Sequence, residues 1–421
     1  MNKSLYKNSF IFVLGDVLNK AIPFLMLPVL TRYLTPEGYG YVALFGVMVS
    51  ILVVFAGLSV NGAININYFK LDKEALKVYI SNVFIILFIS SLVIFISLFL
   101  FSPYIIERIT LEKEWLFVAL LLAVSKFITF VNLGLWMIEE KPKVYSLYQI
   151  SQTVMITALS LIFVIGLKMG WKGELLALSL GTVFFAMVSL YVIYQRGYLG
   201  WNFNREYLKD ALKFGVPLVP HALASWVKTG VDRVVIMALL GSAVVGIYSV
   251  AYQIGMVILV LVTAFNKAWI PYLFKTLHHT PTLKEKVKIV KFTYVYFALV
   301  VILAILFTYS MQWILPYFLG EKFLESSQYI LYFALAFAFQ GMYFMVGNYI
   351  FFVNKTHLLA YVTFGTAAVH IVLLYALLER YGVMGVAYTS CISSFLTFIL
   401  VWYLSAKVYP MPWNLFRSDI E

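Results

Sequence analysis

Charge is the scarcest commodity in this 421-residue sequence, where Asp, Glu, Lys and Arg make up 12% against about 25% in a soluble domain. So little charge cannot coat a water-facing surface, and 63% of the residues are hydrophobic. A soluble enzyme, a large extramembrane catalytic domain and a disordered tail are all excluded. Cysteine is nearly absent: Cys391 stands alone, so no internal disulfide forms and the compartment cannot be read from redox chemistry. A phosphate loop is missing too. Gly241 to Gly246 has the glycine spacing but continues Ile247-Tyr248 in place of Lys and Ser or Thr, so neither direct ATP use nor any cofactor or metal is expected.

What the sequence has is long apolar runs. Twelve candidate helices lie at 10–34, 40–66, 78–101, 115–138, 144–166, 174–195, 211–240, 243–273, 289–314, 326–352, 357–378 and 383–406. Transmembrane strands would alternate, whereas Val83 to Phe101 is apolar on every face. The expected fold is all-α and integral to the membrane, with about 12 transmembrane helices. The first run holds Asp16 and Lys20 and no small-residue cleavage site follows it, so it is expected to stay in the mature protein. Lys and Arg set the orientation. Nineteen fall on the side of the even-numbered connections and both termini, against seven on the other: Arg32, Arg108, Lys113, Lys168, Lys172, Lys322 and Arg380. The positive-inside rule then places both termini in the cytoplasm.

The two halves repeat. Leu34-Thr35-Pro36-Glu37-Gly38-Tyr39-Gly40 precedes the second run and Leu240-Gly241-Ser242-Ala243-Val244-Val245-Gly246 the eighth, an offset that lays Gly40 on Gly246. Phe69-Lys70 likewise matches Phe274-Lys275, and Gly173 matches Gly385. An offset of six helices gives both halves the same orientation, which describes a parallel pseudo-two-fold repeat of two six-helix lobes, residues 1–200 and 201–421.

Two signatures carry a family resemblance. One is Pro28-Val29-Leu30-Thr31-Arg32-Tyr33-Leu34-Thr35-Pro36-Glu37-Gly38-Tyr39-Gly40; the other is Asp232-Arg233 followed by Gly241 and Val245-Gly246-Ile247-Tyr248-Ser249-Val250-Ala251. The chain resembles the polysaccharide-biosynthesis exporters of the MOP (MATE-like) superfamily, in particular the O-antigen and capsule repeat-unit flippases. The resemblance implies a bacterial inner-membrane flippase and not an enzyme. Its substrate would be a polyprenyl-pyrophosphate-linked oligosaccharide, its surroundings membrane lipids, and its partners a polysaccharide polymerase and a chain-length regulator. Nucleic acid is not an expected partner. Two alternatives stay open. A cation-coupled multidrug exporter of the same superfamily would be expected to line its cavity with acids. A membrane-embedded polymerase or transferase would need positioned acids, and the Asp72-Lys73-Glu74 sequence reads as an ordinary helix start.

Seven charges fall inside the predicted helices away from their ends: Lys20, Lys126, Lys228, Arg233, Lys267, Asp16 and Asp232. At about 2.5–3.5 kcal/mol each, facing lipid would cost on the order of 20 kcal/mol, so they pair or line a wet cavity. Asp16 and Lys20 are four apart, as are Lys228 and Asp232, so each couple can meet on one helix face. These are either structural pairs or substrate and ion-coupling groups. The remaining cations suit an anionic headgroup in a cleft between spans 1–6 and 7–12, with Arg233 as the bidentate phosphate contact and Lys267 alternatively snorkelling toward a helix end. Arg32, at the end of the first span, is a headgroup anchor or a substrate contact. Asn19, Asn132, Gln149, Gln152, Gln253, Asn266, Gln340 and Asn348 either bind sugar hydroxyls or bond neighbouring helices, and His370 reads first as a packing residue. Pro23, Pro28, Pro217 and Pro220 recur in the opening helix of each half, where a missing backbone bond permits a gate or hinge.

Overall fold

The computed structural model describes residues 3–109, 111–200, 202–279 and 281–415, without the side chains of 3–10, 13, 14, 16, 108 and 109. Its described regular structure is helical throughout: α1 Lys3–Tyr33, α2 Pro36–Gly57, α3 Asn61–Asn67, α4 Lys73–Ile109, α5 Lys113–Ile138, α6 Pro142–Ser160, α7 Gly170–Gln195, α8 Arg205–Gly215, α9 Val219–Leu240, α10 Ser242–His278, α11 Leu283–Phe318, α12 Ser327–Phe352, α13 His357–Tyr381 and α14 Val383–Val408.

Ten of these, α2, α4 to α7 and α10 to α14, are long and apolar enough to cross a membrane. The other two expected spans are α1, part of which lies outside the described side chains, and α9, whose 22 residues include Lys228, Asp232 and Arg233. Local chemistry sets the helix ends. Thr35 caps α2 by accepting from the Gly38 N–H at 3.2 Å, with Pro36 at the first position, where its missing N–H is harmless. Thr282 and Glu285 form a reciprocal capping box on α11.

Two expected spans are broken. The run 40–66 stops at Gly57, because Leu58 and Ser59 turn left-handed with φ of 44° and 56°, and the short α3 restarts the helix at Asn61. The run 211–240 divides into the amphipathic α8, a tight turn over Val216–Leu218 and then α9. Pro217 sits in that turn, where it removes a backbone donor. Pro220 falls in the first turn of α9, which tolerates it. Pro23 and Pro28 by contrast lie within the continuous α1.

The chain forms two compact units, Met1–Gly246 and Ile247–Glu421. In the first, α2 packs on α4, α5, α7 and α9, while α6 lies between α1 and α7. Its core joins Ala56, Val60 and Ile64 to Tyr79, Ile80 and Val83 of α4 and to Phe127, Val131 and Leu135 of α5. In the second, α12 packs on α11 and α14, and α13 on α14. An aromatic cluster of Tyr294, Phe297, Phe398, Trp402 and Trp413 ties α11 and α14 to the segment that follows α14. Large apolar side chains point outward in number, among them Phe88, Phe99, Trp313 and Tyr317, and only 17% of the most apolar stretch of α4 is buried. A water-soluble chain does not expose such a surface; lipid covers it.

Candidate functional site

α9 rests on α2. The Trp226 Nε1–H donates to the Val47 carbonyl at 3.2 Å and to Ser50 Oγ at 3.1 Å, and Gly230 lets the Val47 side chain approach. That contact orients the charged turn of α9, where Asp232 and Arg233 are 2% and 8% exposed. Arg233 donates through Nη1 to the Thr229 carbonyl of its own helix at 2.7 Å, which holds the guanidinium along the helix wall. Lys228, four residues before Asp232, is half-buried.

Lys126 lies half-buried on α5 and makes no hydrogen bond or ion pair with the described side chains. Because α5 and α9 both pack on α2, Lys126 and the α9 charges are carried by helices that share one neighbour. Lys20 and Arg32 are exposed on α1, and Lys267 is exposed on α10 in the second unit. Asp16 lies outside the described side chains.

A third acid was not counted among the helix charges. Glu174, one turn into α7, is partly buried and accepts a hydrogen bond from the Ser160 hydroxyl at the end of α6. Ser160 leads directly into a π turn over Leu161–Gly166, a wound-out geometry frequent at functional positions. Tyr39 of α2, 6% exposed, lies within electrostatic reach of both Glu174 and Arg233. Glu174 opens the predicted span 174–195, and a carboxylate at the first position of an apolar run was the signal available for it.

Several neutral candidates are engaged in packing. Asn132 donates to Ser189 at 3.1 Å, beside the Tyr148 hydroxyl at 2.5 Å from the same Ser189 oxygen. Asn348 donates to Asn266 at 2.9 Å, Thr153 donates to Asn19, and fully buried His370 meets Ser393 at 2.9 Å. Each of these bonds joins two helices.

Beyond the spans, Glu139 follows α5 and gathers Arg196, Lys141 at 2.9 Å and Tyr198 at 3.1 Å. Burial pushes its carboxyl up, but the Lys141 hydrogen bond, the Arg196 charge and the Tyr198 hydroxyl together hold it below the ordinary value. Exposed Glu112 is held down by its hydrogen bond from Lys172 at 2.6 Å.

The fold is that of the MATE transporters. A solved inward-facing multidrug resistance MATE family transporter of the MOP superfamily superposes with a TM-score of 0.69 over 92% of this chain and 94% of that one, at 16% identity. The chain is thus a multi-pass, all-α membrane protein. It belongs to the polysaccharide biosynthesis protein family, whose model matches residues 5–277. Among its relatives are protein 1 of the Lsg locus of Haemophilus influenzae, 24% identical over 96% of this chain and 98% of that one, and the capsular polysaccharide biosynthesis protein CapF of Staphylococcus aureus, 22% identical over 96% and 100%.

Proposed function

We propose that the chain is a flippase that carries a polyprenyl-pyrophosphate-linked oligosaccharide, of the O-antigen or capsule type, from the cytoplasmic to the outer leaflet of a bacterial inner membrane. The supporting observation is the charge inventory of the helices. Among the charges lying well inside the expected spans, with Glu174 at the edge of one added, five cations stand against three acids, and Lys126 and Arg233 lie on helices that both flank α2. A net positive interior suits a pyrophosphate headgroup and repels the cationic drugs a multidrug exporter handles.

In this reading Arg233 grips phosphate oxygens, while Lys126, Lys228, Lys20 and Lys267 act as mobile point charges and Arg32 meets the headgroup at the end of α1. Asp16 and Asp232 either balance Lys20 and Lys228 or couple transport to an ion gradient. Both termini are cytoplasmic, residues 1–200 and 201–421 are the two repeats, and Pro23 and Pro28 supply the bends that let α1 gate the path. A polymerase and a chain-length regulator take up the exported unit.

Complementation of a flippase-null strain tests it. The chain should restore surface polysaccharide from a defined repeat unit, whereas Arg233→Glu at equal membrane abundance should not. Repeat units that reach the outer face unpolymerised when the chain is deleted would overturn the reading in favour of a polymerase.

A further inference from the structure

Residues 198–215 lead from the first sequence repeat into the second and carry Arg205, Glu206, Lys209, Asp210 and Lys213. The structure builds them into the first unit. Three residues of α4 face them. Ser81 Oγ accepts from the Gly200 N–H at 2.8 Å. Asn82, fully buried, spends both ends of its amide on the segment's backbone, donating to the Asn202 carbonyl at 3.2 Å and accepting from the Asn204 N–H at 3.0 Å. Tyr79, 1% exposed, donates its hydroxyl to Asp210 Oδ2 at 2.8 Å, and Asn67 of α3 donates to the same oxygen at 3.2 Å.

The apolar side of the segment enters the same core. Tyr198 and Ala211 are buried there, with Leu199, Tyr207, Leu208, Leu212 and Phe214 packed around them. Gly215, the last residue of α8, comes so close to the α2–α3 turn that a Cβ would lie 2.3 Å from the Leu58 carbonyl oxygen. Past the Val216–Leu218 turn the attachment resumes at Trp226 on α2. A flexible tether has no use for a fully buried asparagine that satisfies two peptide groups, and detaching the segment would take both of those partners from the Asn82 amide.

We infer that residues 198–215 are a rigid strut that keeps α9 fixed to α2, α3 and α4 throughout the transport cycle, so that Asn82, Asp210 and Trp226 are positioning residues for Lys228 and Arg233. The inference rests on the reading above that those cations hold the headgroup phosphates. The α9 cations then stay in register with Lys126 of α5 while the substrate moves, instead of parting from it.

A reversible lock tests this. In a Cys391→Ser background, Asn67→Cys and Asp210→Cys are bridged by a short, reducible bis-thiol reagent, and export of lipid-linked oligosaccharide is followed before and after bridging. A strut that never detaches predicts export unchanged to within about twofold. Export lost on bridging and regained on reduction overturns it. A second measurement needs no export: spin labels at Phe69 and Ser225, both outside the contacts above, report the distance from the turn after α3 to α9 in lipid vesicles with and without a polyprenyl pyrophosphate. One unshifted distance distribution is expected, and a second distance appearing with the lipid overturns the inference. A Cys391→Ser protein with Asn67 and Asp210 intact that exports nothing counts against the functional reading, and the label distance still decides the strut. For the positioning role, Asn82→Ala with Asp210→Ala should raise the half-saturating lipid concentration, while Asp210→Asn, which keeps an acceptor, should restore it. Equal half-saturation in all three proteins overturns that role.

Discussion

Gly40 and Gly246 occupy each other's side-chain space: a Cβ on Gly40 would lie 1.9 Å from the Ser242 carbonyl oxygen, and one on Gly246 would lie 2.0 Å from the Pro36 carbonyl oxygen. Pro36 and Ser242 are separated in sequence by the same interval as the two glycines, so the contact is reciprocal in the way of a two-fold. Alanine at either glycine must push a backbone carbonyl, which does not swing aside as a side chain does. We expect Gly40→Ala and Gly246→Ala each to cost on the order of 1–3 kcal/mol, read as a lower unfolding midpoint in detergent. Gly46, with no atom within 4 Å of its would-be Cβ, is the control, and Gly46→Ala should be neutral or stabilising.

That contact also shows how far the sequence could be read. The repeat was legible because Gly40 and Gly246 fall at equivalent points of two similar segments, and the spans were legible because lipid demands apolarity on every face of α4. The break at Leu58 was not, since a left-handed turn made by Leu and Ser leaves no trace in hydropathy. Nor was the division of 211–240, where apolar residues run on through Pro217 while the backbone turns. Among the candidate site residues, Arg233 and Asp232 were recognisable as charges in an apolar run. The roles of Asn82 and Asp210 depend on contacts more than 100 positions away in the chain, which no local pattern records.

Glu174 and Ser160 yield a second prediction. Ser160→Ala removes the hydroxyl donor from a partly buried carboxyl and should destabilise by about 1–3 kcal/mol. Glu174→Gln keeps the size and removes the charge, so Ser160→Ala in that background should cost less than in the wild type. A double-mutant cycle on unfolding midpoints measures the difference.

Glu139 gives a pH dependence. Its carboxyl is held below the ordinary value of 4.5, so the stability it contributes is present above that value and is lost as pH falls through the lower folded one. Glu139→Gln should therefore lower the unfolding midpoint at pH 7, by about 1–3 kcal/mol of stability for a charge-assisted cluster. The gap from wild type should close in acid, and scans at neutral and acidic pH read it directly.

The two prolines at the start of α9 act on export and not on insertion. Pro217 sits in the turn between α8 and α9, so Pro217→Ala should let the two helices run together and slow export at normal membrane abundance. Pro220, in the first turn of α9, should tolerate alanine with a smaller effect. Export rates normalised to protein level compare the two.

The central claim is that a cationic interior moves an anionic lipid-linked saccharide. The most direct measurement reconstitutes the purified chain in vesicles holding a fluorescent polyprenyl-pyrophosphate oligosaccharide, and follows its transfer between leaflets by protection from a membrane-impermeant quencher. Wild-type protein should accelerate transfer over empty vesicles, while Arg233→Glu and Lys126→Glu should each fall to the empty-vesicle rate with the fold intact. Wild-type transfer rates in both charge-reversed proteins would contradict the account.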